Sequence, residues 1–386
     1  MDQISAQDYE QHLEGNIRDL VERLKPQRYR AKLVKRHSIP KGNGKLRPLG
    51  IPAVEDKLRQ VAVTHLLEAS YEPDFLRCSY GYRPGVGAVD AVDQLTVKLQ
   101  FGHSHYVVEA DIKGFCDRME QDWMIRRWAE RIEERALLGL IRKWLQAGRL
   151  DPTGAILQPV TGTPQGGGVS PVLANGYLHY VLDLGFAKVV KPQCRGEACR
   201  LRYAEDYGCA VADQGEAERF YAALGPRLEQ FGRAVATAKT RLLPFRRPPS
   251  PGPSSLEFLG VEFRWGPDRA GQAQLQRRPA RPKLRASLPR CTQWGREKRQ
   301  RRLRVLFKQL HGKLRGYDHY YGVHGNSASR KQFFEGARRI RLKWLKRRSP
   351  RRRYNWQGCK AIVERCKVER PRLVGQPKTR RATAMA

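Results

Sequence analysis

The sequence predicts an α+β protein in which an antiparallel sheet with helices on one face is followed by a strongly basic helical module. Short runs rich in β-branched and aromatic residues alternate with longer segments of helical spacing. Two such runs flank residues 203–206 closely enough to be antiparallel neighbours joined by a tight turn. Past about residue 270 the composition changes. Between Arg296 and Arg353, only Glu297, Asp318 and Glu335 oppose many lysines and arginines.

The first predicted element is a helix over residues 4–26, which Ser5 can cap. A strand over 32–40 turns at Asn43-Gly44 into a strand over 46–52, because an asparagine–glycine pair favours a hairpin turn. The remaining predicted elements, in chain order, are a helix over 55–71, a loop over 79–85, a helix over 87–100, a strand ending at Asp111, helices near 121–132 and 134–147, a turn at 151–154, an apolar helix over 171–189, the hairpin around Glu205, a helix over 215–232, strands near 240–246 and 256–263, and basic helices near 299–321 and 328–347.

The charge of the chain indicates a polyanionic partner. The 386 residues include 74 lysines and arginines against 38 acidic residues, which gives a formal net charge of +36. Such an excess repels itself unless it is neutralised, and nucleic acid is the natural partner. An anionic membrane surface is the alternative, but no apolar run approaches the roughly 18–20 residues that span a bilayer. We therefore expect no membrane association and a cytoplasmic location.

The cysteines favour a reducing environment. Eight are scattered along the chain, and the closest pair, Cys194 and Cys199, lacks a second pair at the spacing of a zinc site. We interpret them as reduced thiols.

The stretch Tyr203-Ala204-Glu205-Asp206 places two acids at the tip of a predicted hairpin. Acids in such turns are often only solvated. A second acidic element lies far upstream, where a strand-like run from Tyr106 ends at Asp111 before a glycine-containing turn. If the two strands bring Asp111, Glu205 and Asp206 together, their carboxylates form a pocket of hard oxygen ligands that suits Mg²⁺.

With these elements in this order, the sequence resembles a bacterial group II intron reverse transcriptase/maturase over nearly its whole length. Several long motifs carry the resemblance. They are the finger motif from Ile39 to Pro52, the block from Ser79 to Gly85, the palm motif Asp111-Ile112-Lys113-Gly114-Phe115, the template and primer block from Pro164 to Asn175, the acidic hairpin at 203–206, the primer-grip strand at Phe258-Leu259-Gly260, and the thumb blocks at 315–322 and 344–349.

The resemblance implies a right-hand polymerase: fingers and palm over 1–268, with an antiparallel palm sheet and a truncated N-terminal extension. A basic α-helical thumb, or maturase domain X, would follow over 269–372, with a disordered basic tail over 373–386. The nuclease domain of some relatives is not expected. The implied partners are group II intron RNA, an RNA template with a DNA or RNA primer, and deoxynucleoside triphosphates. Oligomeric state is left open.

The resemblance also assigns roles to individual residues. Asp111, Glu205 and Asp206 would be catalytic and would hold two Mg²⁺ ions, with Mn²⁺ as an alternative, and Ile112 would lend a backbone carbonyl. The residues implied to contact the nucleotide or its triphosphate are Lys41, Lys45, Arg47, Ile112, Phe115, Cys116, Gln165 and Lys239. A solvated basic turn is the alternative for the first three, and a solvated lysine is the alternative for Lys239. In the thumb, Tyr317, Tyr320, Tyr321 and Trp344 would either stack on bases or pack in a helical core.

Two residues depart from the family pattern. Glu205 stands where relatives usually carry aspartate, and its extra methylene moves the carboxylate by about 1.5 Å. Cys116 stands where an aromatic residue usually excludes a ribose 2′-hydroxyl. Two functions therefore remain: an RNA-directed DNA polymerase, or an RNA-binding splicing cofactor whose polymerase site is weak or silent.

Overall fold

The structure, a computed structural model, describes residues 4–24, 29–40, 46–115, 119–158, 161–163, 166–248, 255–268, 270–322, 326–348 and 355–365. The chain divides into two compact units. One contains Met1–Ala91 and Tyr106–Leu242, and the other contains Val92–His105 and Leu243–Ala386. Antiparallel sheets with helices, followed by a helical C-terminal part, confirm the predicted fold class. The finer division at residue 268 remains a prediction.

Most elements up to residue 244 lie close to the predicted positions, but the short strands on either side of the predicted turn at 151–154 were not predicted. The helices are α1 Ala6–Glu10, α2 Leu13–Leu24, α3 Val54–Tyr71, α4 Ala88–Phe101, α5 Gln121–Ala129, α6 Arg135–Leu145, α7 Ser170–Leu178 and α8 Gln214–Glu229. The strands are β1 Val34–Pro40, β2 Leu46–Ile51, β3 Tyr106–Ala110, β4 Arg149–Leu150, β5 Ile156–Leu157, β6 Ala198–Tyr203, β7 Asp206–Val211 and β8 Arg241–Pro244.

The N-terminal helix differs from its prediction, because the expected single helix over 4–26 is two helices. Ser5 caps α1 as predicted, in a capping box with Asp8. The Asn16 side chain donates to the Tyr9 carbonyl at 2.9 Å. An asparagine that bonds to a nearby carbonyl competes with the regular helical ladder. We attribute the break after α1 to this local bond.

Strands β1 and β2 form the predicted hairpin, with Pro40 paired to Leu46. The connection at 41–45 lies outside the described residues.

The predicted helix over 171–189 also departs from the regular form. Helix α7 continues into π-helical segments at His179–Asp183 and Phe186–Val190, which sequence periodicity does not distinguish from an α-helix.

The central sheet of the first unit has the strand order β6-β7-β3-β8. Residues that point to one side of β3 and β7 are buried against helices, including Val108 and Cys209, which are both 0% exposed. The same core includes Met124 of α5 and Leu173 of α7. Burial of one sheet face fixes the register of the strands, since a slip by one residue would expose the apolar set.

In the second unit, the single strand predicted over 256–263 is wrong. The segment forms a hairpin of β9 Ser255–Phe258 and β10 Val261–Pro267, and β11 Ala273–Pro279 pairs with the other side of β10. Leu259 and Gly260 connect the hairpin with φ of 51° and 77°. Positive φ at both central residues is typical of a type I′ turn. The turn was missed because leucine is rare in that position.

The C-terminal helices are α9 Arg281–Glu297, α10 Leu303–Tyr321, α11 Ser327–Lys346 and α12 Trp356–Arg365. Helix α9 was not predicted, since Pro282, Pro289 and Gly295 interrupt its pattern. Among the described residues, no helix combines the length and the apolar content that crossing a membrane requires.

The thumb aromatics belong largely to the core of the second unit. Trp344 is 7% exposed, and the Tyr317 ring stacks on Phe333 with centroids 3.9 Å apart. Tyr320 donates its hydroxyl to the Leu259 carbonyl at 2.7 Å. These contacts favour the core-packing alternative for Tyr317 and Trp344.

One buried hydrogen-bond network provides a test of what stabilises the first unit. Tyr29 is 5% exposed, donates its hydroxyl to Asp56, and accepts a bond from the Trp144 indole nitrogen at 2.9 Å. Its replacement by phenylalanine leaves a buried donor and a buried acceptor short of a partner.

We expect Tyr29→Phe to lower the free energy of unfolding by about 1–3 kcal/mol, because buried polar groups lose their partner. Chemical denaturation monitored by fluorescence measures this change. Tyr221→Phe is the control, because the Tyr221 side chain is 40% exposed. Equal stability of the two variants would contradict the role assigned to the network.

Candidate active site

The pairing of β3 with β7 brings the two acidic elements together. The antiparallel register runs from Tyr106 opposite Val211 to Ala110 opposite Tyr207. The next residues in that register are Asp111, which follows β3, and Asp206, which begins β7. Beyond the strand, the Asp111 carbonyl accepts a bond from the Ala236 amide at 2.8 Å. This bond fixes the backbone at the end of β3.

Glu205 lies in the turn that joins β6 to β7. Tyr203 pairs with Asp206, so Ala204 and Glu205 are the two central residues of the turn. Ala204 has a φ of 53°, whereas Glu205 is not among the residues with positive φ. Positive φ at the first central position alone is typical of a type II′ turn, where glycine is preferred. An alanine in this conformation costs about 1–2 kcal/mol, so the surrounding structure holds a strained turn.

The electrostatics of Asp206 indicate that the three acids are neighbours. Partial loss of hydration, together with the negative charges of Glu205 and Asp111, raises the pKa of Asp206 to about 6. The positive charges of Lys239 and Arg47 act in the opposite direction. Asp206 is nevertheless exposed by its overall accessibility. Solvent therefore screens part of these interactions.

Two basic residues, one on the edge strand β8 and one in the turn before it, pair with acids in and directly after β3. Lys239 forms an ion pair with Asp111, and Arg241 forms one with Glu109. The hydrogen bond to Asp111 raises the pKa of Lys239, and the charges of Asp206 and Glu205 add to this effect. Lys239 therefore carries a positive charge beside the acidic cluster at neutral pH.

The structure brings Arg47 to the same site. It lies exposed on β2, and its positive charge opposes the rise in the pKa of Asp206. The other predicted nucleotide contacts, Lys41, Lys45, Cys116 and Gln165, lie outside the described residues.

Phe115 lies in the core of the first unit. Its side chain is 4% exposed, and its ring meets Tyr177 edge-on with centroids 5.9 Å apart. The Arg233 guanidinium lies 5.9 Å from the same ring. The Phe115 side chain therefore packs in the core, and its contact with a nucleotide stays a prediction. The side chain of Ile112 is also buried, at 3% exposure.

The donor chemistry of the site fits a hard divalent ion such as Mg²⁺. Carboxylate oxygens are ligands that suit Mg²⁺, and a bound cation would offset the repulsion among the three negative charges. Binding of a metal ion by these three acids stays a prediction. Within the described ranges, no group of three or more His, Cys, Asp or Glu side chains is placed to hold a metal ion. The carboxylate of Asp111 instead contacts the Lys239 ammonium group.

Comparison with known proteins assigns the chain to a family. The profile described as reverse transcriptase (RNA-dependent DNA polymerase) matches residues 39–263, more than half of the chain. This chain belongs to the reverse transcriptase family. The matched range contains Asp111, Glu205 and Asp206, so the acidic cluster lies within the reverse transcriptase domain.

Curated relatives of this reverse transcriptase include proteins encoded by introns. It is 41% identical over 176 residues to group II intron-encoded protein LtrA of Lactococcus lactis subsp. cremoris, covering 44% of this chain and 29% of LtrA. It is 37% identical over 142 residues to protein YkfC of Escherichia coli strain K12, covering 36% of each. The chain thus spans about a third of the length of these relatives.

Solved structures confirm the reverse transcriptase fold. Telomerase from Candida albicans, in complex with a TWJ fragment of telomeric RNA, superposes with a TM-score of 0.51 at 12% identity, covering 94% of this chain and 65% of that chain. Apo telomerase from Candida tropicalis gives a TM-score of 0.51 at 12% identity, covering 87% and 64%. At this identity the similarity concerns the fold alone.

Sequence reasoning missed a buried ionic network beneath the acidic turn of this reverse transcriptase. Arg202 and Asp183 are both 0% exposed and form an ion pair at 2.7 Å. Arg200, two residues earlier on β6, also pairs with Asp183. The sequence does contain a sign of this network. Asp183 is the single acid in the apolar stretch 171–189, and the two arginines alternate with apolar residues.

The raised pKa of Asp206 predicts how stability depends on pH. The folded-state pKa of about 6 lies above the ordinary value of 3.8 for an aspartate. Asp206 therefore favours folding most below about pH 4, and this contribution is lost as the pH rises through about 6. A fully sequestered group with such a shift would change stability by roughly 3 kcal/mol, which solvent screening reduces to about 1 kcal/mol here.

We expect Asp206→Asn to raise the melting temperature by about 2–4 °C at pH 8, because it removes an unfavourable charge. At pH 4 the gain disappears, since Asp206 is then protonated in the wild type. Differential scanning calorimetry at both pH values checks this. A gain that is equal at pH 4 and pH 8 would show that the charge is not responsible.

Proposed function

We propose that this chain is an RNA-directed DNA polymerase of the group II intron type, which extends a primer 3′-hydroxyl on an intron RNA template. The observation that carries the proposal is the β3–β7 register, which places Asp111 beside Asp206 in a cluster that raises the pKa of Asp206. The 41% identity to LtrA over the matched segment supports the intron type.

In this proposal, Asp111, Glu205 and Asp206 hold the two Mg²⁺ ions, with the Ile112 carbonyl as a further ligand. When bound, such ions activate the attacking hydroxyl and stabilise the departing pyrophosphate. The chain's own cations complete the site. Arg47 lies close enough to affect Asp206, and it would neutralise the charge of the incoming triphosphate with Lys41 and Lys45.

Lys239 has a separate role in the proposal. It holds the Asp111 carboxylate before substrates bind, and its raised pKa keeps it protonated. This ammonium group would also be suited to interact with the leaving pyrophosphate and to donate a proton to it.

The basic second unit would bind the template and the intron RNA. Its exposed lysines and arginines are suited to phosphate contacts, so binding would weaken steeply with salt. The maturase role, the cytoplasmic location and the partners beyond an RNA template belong to this proposal.

A second function is favoured by specific features of the site. Glu205 replaces the usual aspartate, and Asp111 is paired with Lys239, so the acids do not form a ready coordination site among the described residues. The chain would then act as an RNA-binding splicing cofactor with a weak or silent polymerase. Primer extension on an RNA template with Mg²⁺ separates the two functions. If the wild type gives no product but binds intron RNA tightly, the result supports the function as a splicing cofactor.

We expect Asp111→Asn to lower the rate of primer extension on the order of 10³-fold, because it removes a carboxylate from the reacting centre. Glu229→Gln is the matched control, since Glu229 is an exposed acid on α8 and its loss should leave the rate unchanged. A rate for Asp111→Asn within about threefold of wild type would refute the assigned catalytic role.

We also expect Glu205→Asp to raise the rate of primer extension by up to about 10²-fold, because it returns the carboxylate to the shorter reach of the family pattern. Single-turnover kinetics at saturating Mg²⁺ measure the change. An unchanged or lower rate would mean that the length of this side chain does not limit catalysis.

A further inference from the structure

The acidic turn is attached to the core by one buried side chain. Arg202 donates from Nε to Asp183 Oδ1 at 2.9 Å and from Nη2 to Asp183 Oδ2 at 2.7 Å. It also donates from Nη1 to Asn175 Oδ1 at 3.1 Å and to the Ala204 carbonyl at 3.3 Å, and from Nη2 to Ser79 Oγ at 2.7 Å. The bidentate pair with Asp183 orients the guanidinium group. The bond to the Ala204 carbonyl connects it to the turn, and the bonds to Asn175 and Ser79 connect it to helix α7 and to the loop before Gly81.

The segment around Ser79 reinforces this attachment. The Arg202 amide donates to the Cys78 carbonyl at 2.7 Å, and the Arg202 carbonyl accepts from the Tyr80 amide at 2.9 Å. A Cβ atom on Gly81 would lie 2.4 Å from the Ala204 nitrogen. Glycine is therefore required for the loop to pack directly against the turn.

Asn175 closes the network from helix α7. Its side-chain nitrogen donates to the Gly81 carbonyl at 2.7 Å, while its oxygen accepts from Arg202. Arg202 and Gly81 thus contact Ala204, the residue with positive φ that precedes Glu205 and Asp206, and Asn175 links Arg202 to Gly81.

We propose that Arg202, anchored by Asp183, is a positioning residue that holds this strained turn so that Glu205 and Asp206 face Asp111. The inference rests on the proposed polymerase function. Arginine is needed because its planar group serves Asp183 and the turn together, and lysine cannot reproduce that geometry.

Arg200 provides a matched control. It lies on the same face of β6 because side chains two residues apart point the same way. It is 5% exposed and pairs with the same Asp183. Its other hydrogen bond goes to Cys78 Sγ, at 3.1 Å, and not to the turn. Lysine substitutions at 200 and 202 therefore disturb the same buried carboxylate, but only one disturbs the turn.

The test compares Arg202→Lys with Arg200→Lys for melting temperature, kcat and KM in primer extension, and Mn²⁺ affinity measured by electron paramagnetic resonance without RNA. We expect similar losses of melting temperature. Arg202→Lys should lower kcat by about 10- to 10²-fold with little change in KM and weaken Mn²⁺ binding, whereas Arg200→Lys should change kcat by less than about threefold.

A rescue variant separates positioning from general damage. Ala204→Gly allows the turn to adopt positive φ without strain. We expect it to restore kcat and Mn²⁺ affinity in the Arg202→Lys background to within about threefold of wild type, and to change Arg200→Lys little. Equal kcat losses for the two lysine variants, or failure of the glycine rescue, would overturn the inference.

Two possible outcomes require an additional measurement. If Arg202→Lys does not fold, Ser79→Ala replaces it, because this change removes only one acceptor of Arg202. A kcat for Ser79→Ala that equals the wild-type value would overturn the inference, and a loss of about three- to tenfold that Ala204→Gly rescues would support it. If wild type extends no primer, the proposed function fails, and Mn²⁺ affinity alone decides the positioning role.

Discussion

The pairing of β3 with β7 is the interaction on which the catalytic region depends. It aligns the end of one strand with the beginning of the other, so Asp111 and Asp206 become neighbours despite their distance in sequence. The register is fixed by apolar residues on the buried face, such as Val108 and Cys209. A slip by one residue would expose these residues and separate the acids. Core packing and catalytic geometry are therefore set by the same contacts.

The site contains two energetically unfavourable features that contacts with the surrounding structure stabilise. Loss of hydration and the negative charges of Glu205 and Asp111 raise the pKa of Asp206, and Ala204 occupies a conformation that suits glycine. The Arg202–Asp183 pair restrains the turn from within the core, while Lys239 offsets the charge from the solvent side. Buried ion pairs contribute little net stability but specify geometry when fully hydrogen-bonded. This combination is expected of a site that stores strain for function.

Much of the fold was predictable because local patterns agreed with the tertiary structure. The β1–β2 hairpin, the strand before Asp111 and the hairpin around Glu205 follow from alternation and turn chemistry. The β9–β10 hairpin was not predictable, since Leu259 adopts positive φ against its own preference. Helix α9 was missed because its proline and glycine residues obscure the helical pattern.

The candidate site was predicted as a set of acids, but not its supporting residues. Motif order identified Asp111, Glu205 and Asp206. No local pattern reveals that Arg202 reaches the Ala204 carbonyl, because that contact requires segments from three parts of the chain. The core position of Phe115 was likewise decided by packing against Tyr177.

The measurement that tests the account most directly is the titration of the Asp206 carboxyl carbon by nuclear magnetic resonance, in wild type and in Asp111→Asn. The variant removes the negative charge of Asp111 and also frees the Lys239 ammonium group from its ion pair. Both changes lower the pKa of Asp206. We predict that the pKa of Asp206, about 6 in the wild type, falls towards its ordinary value in the variant. An unchanged pKa would show that the two carboxylates are not neighbours and would contradict the polymerase site described above.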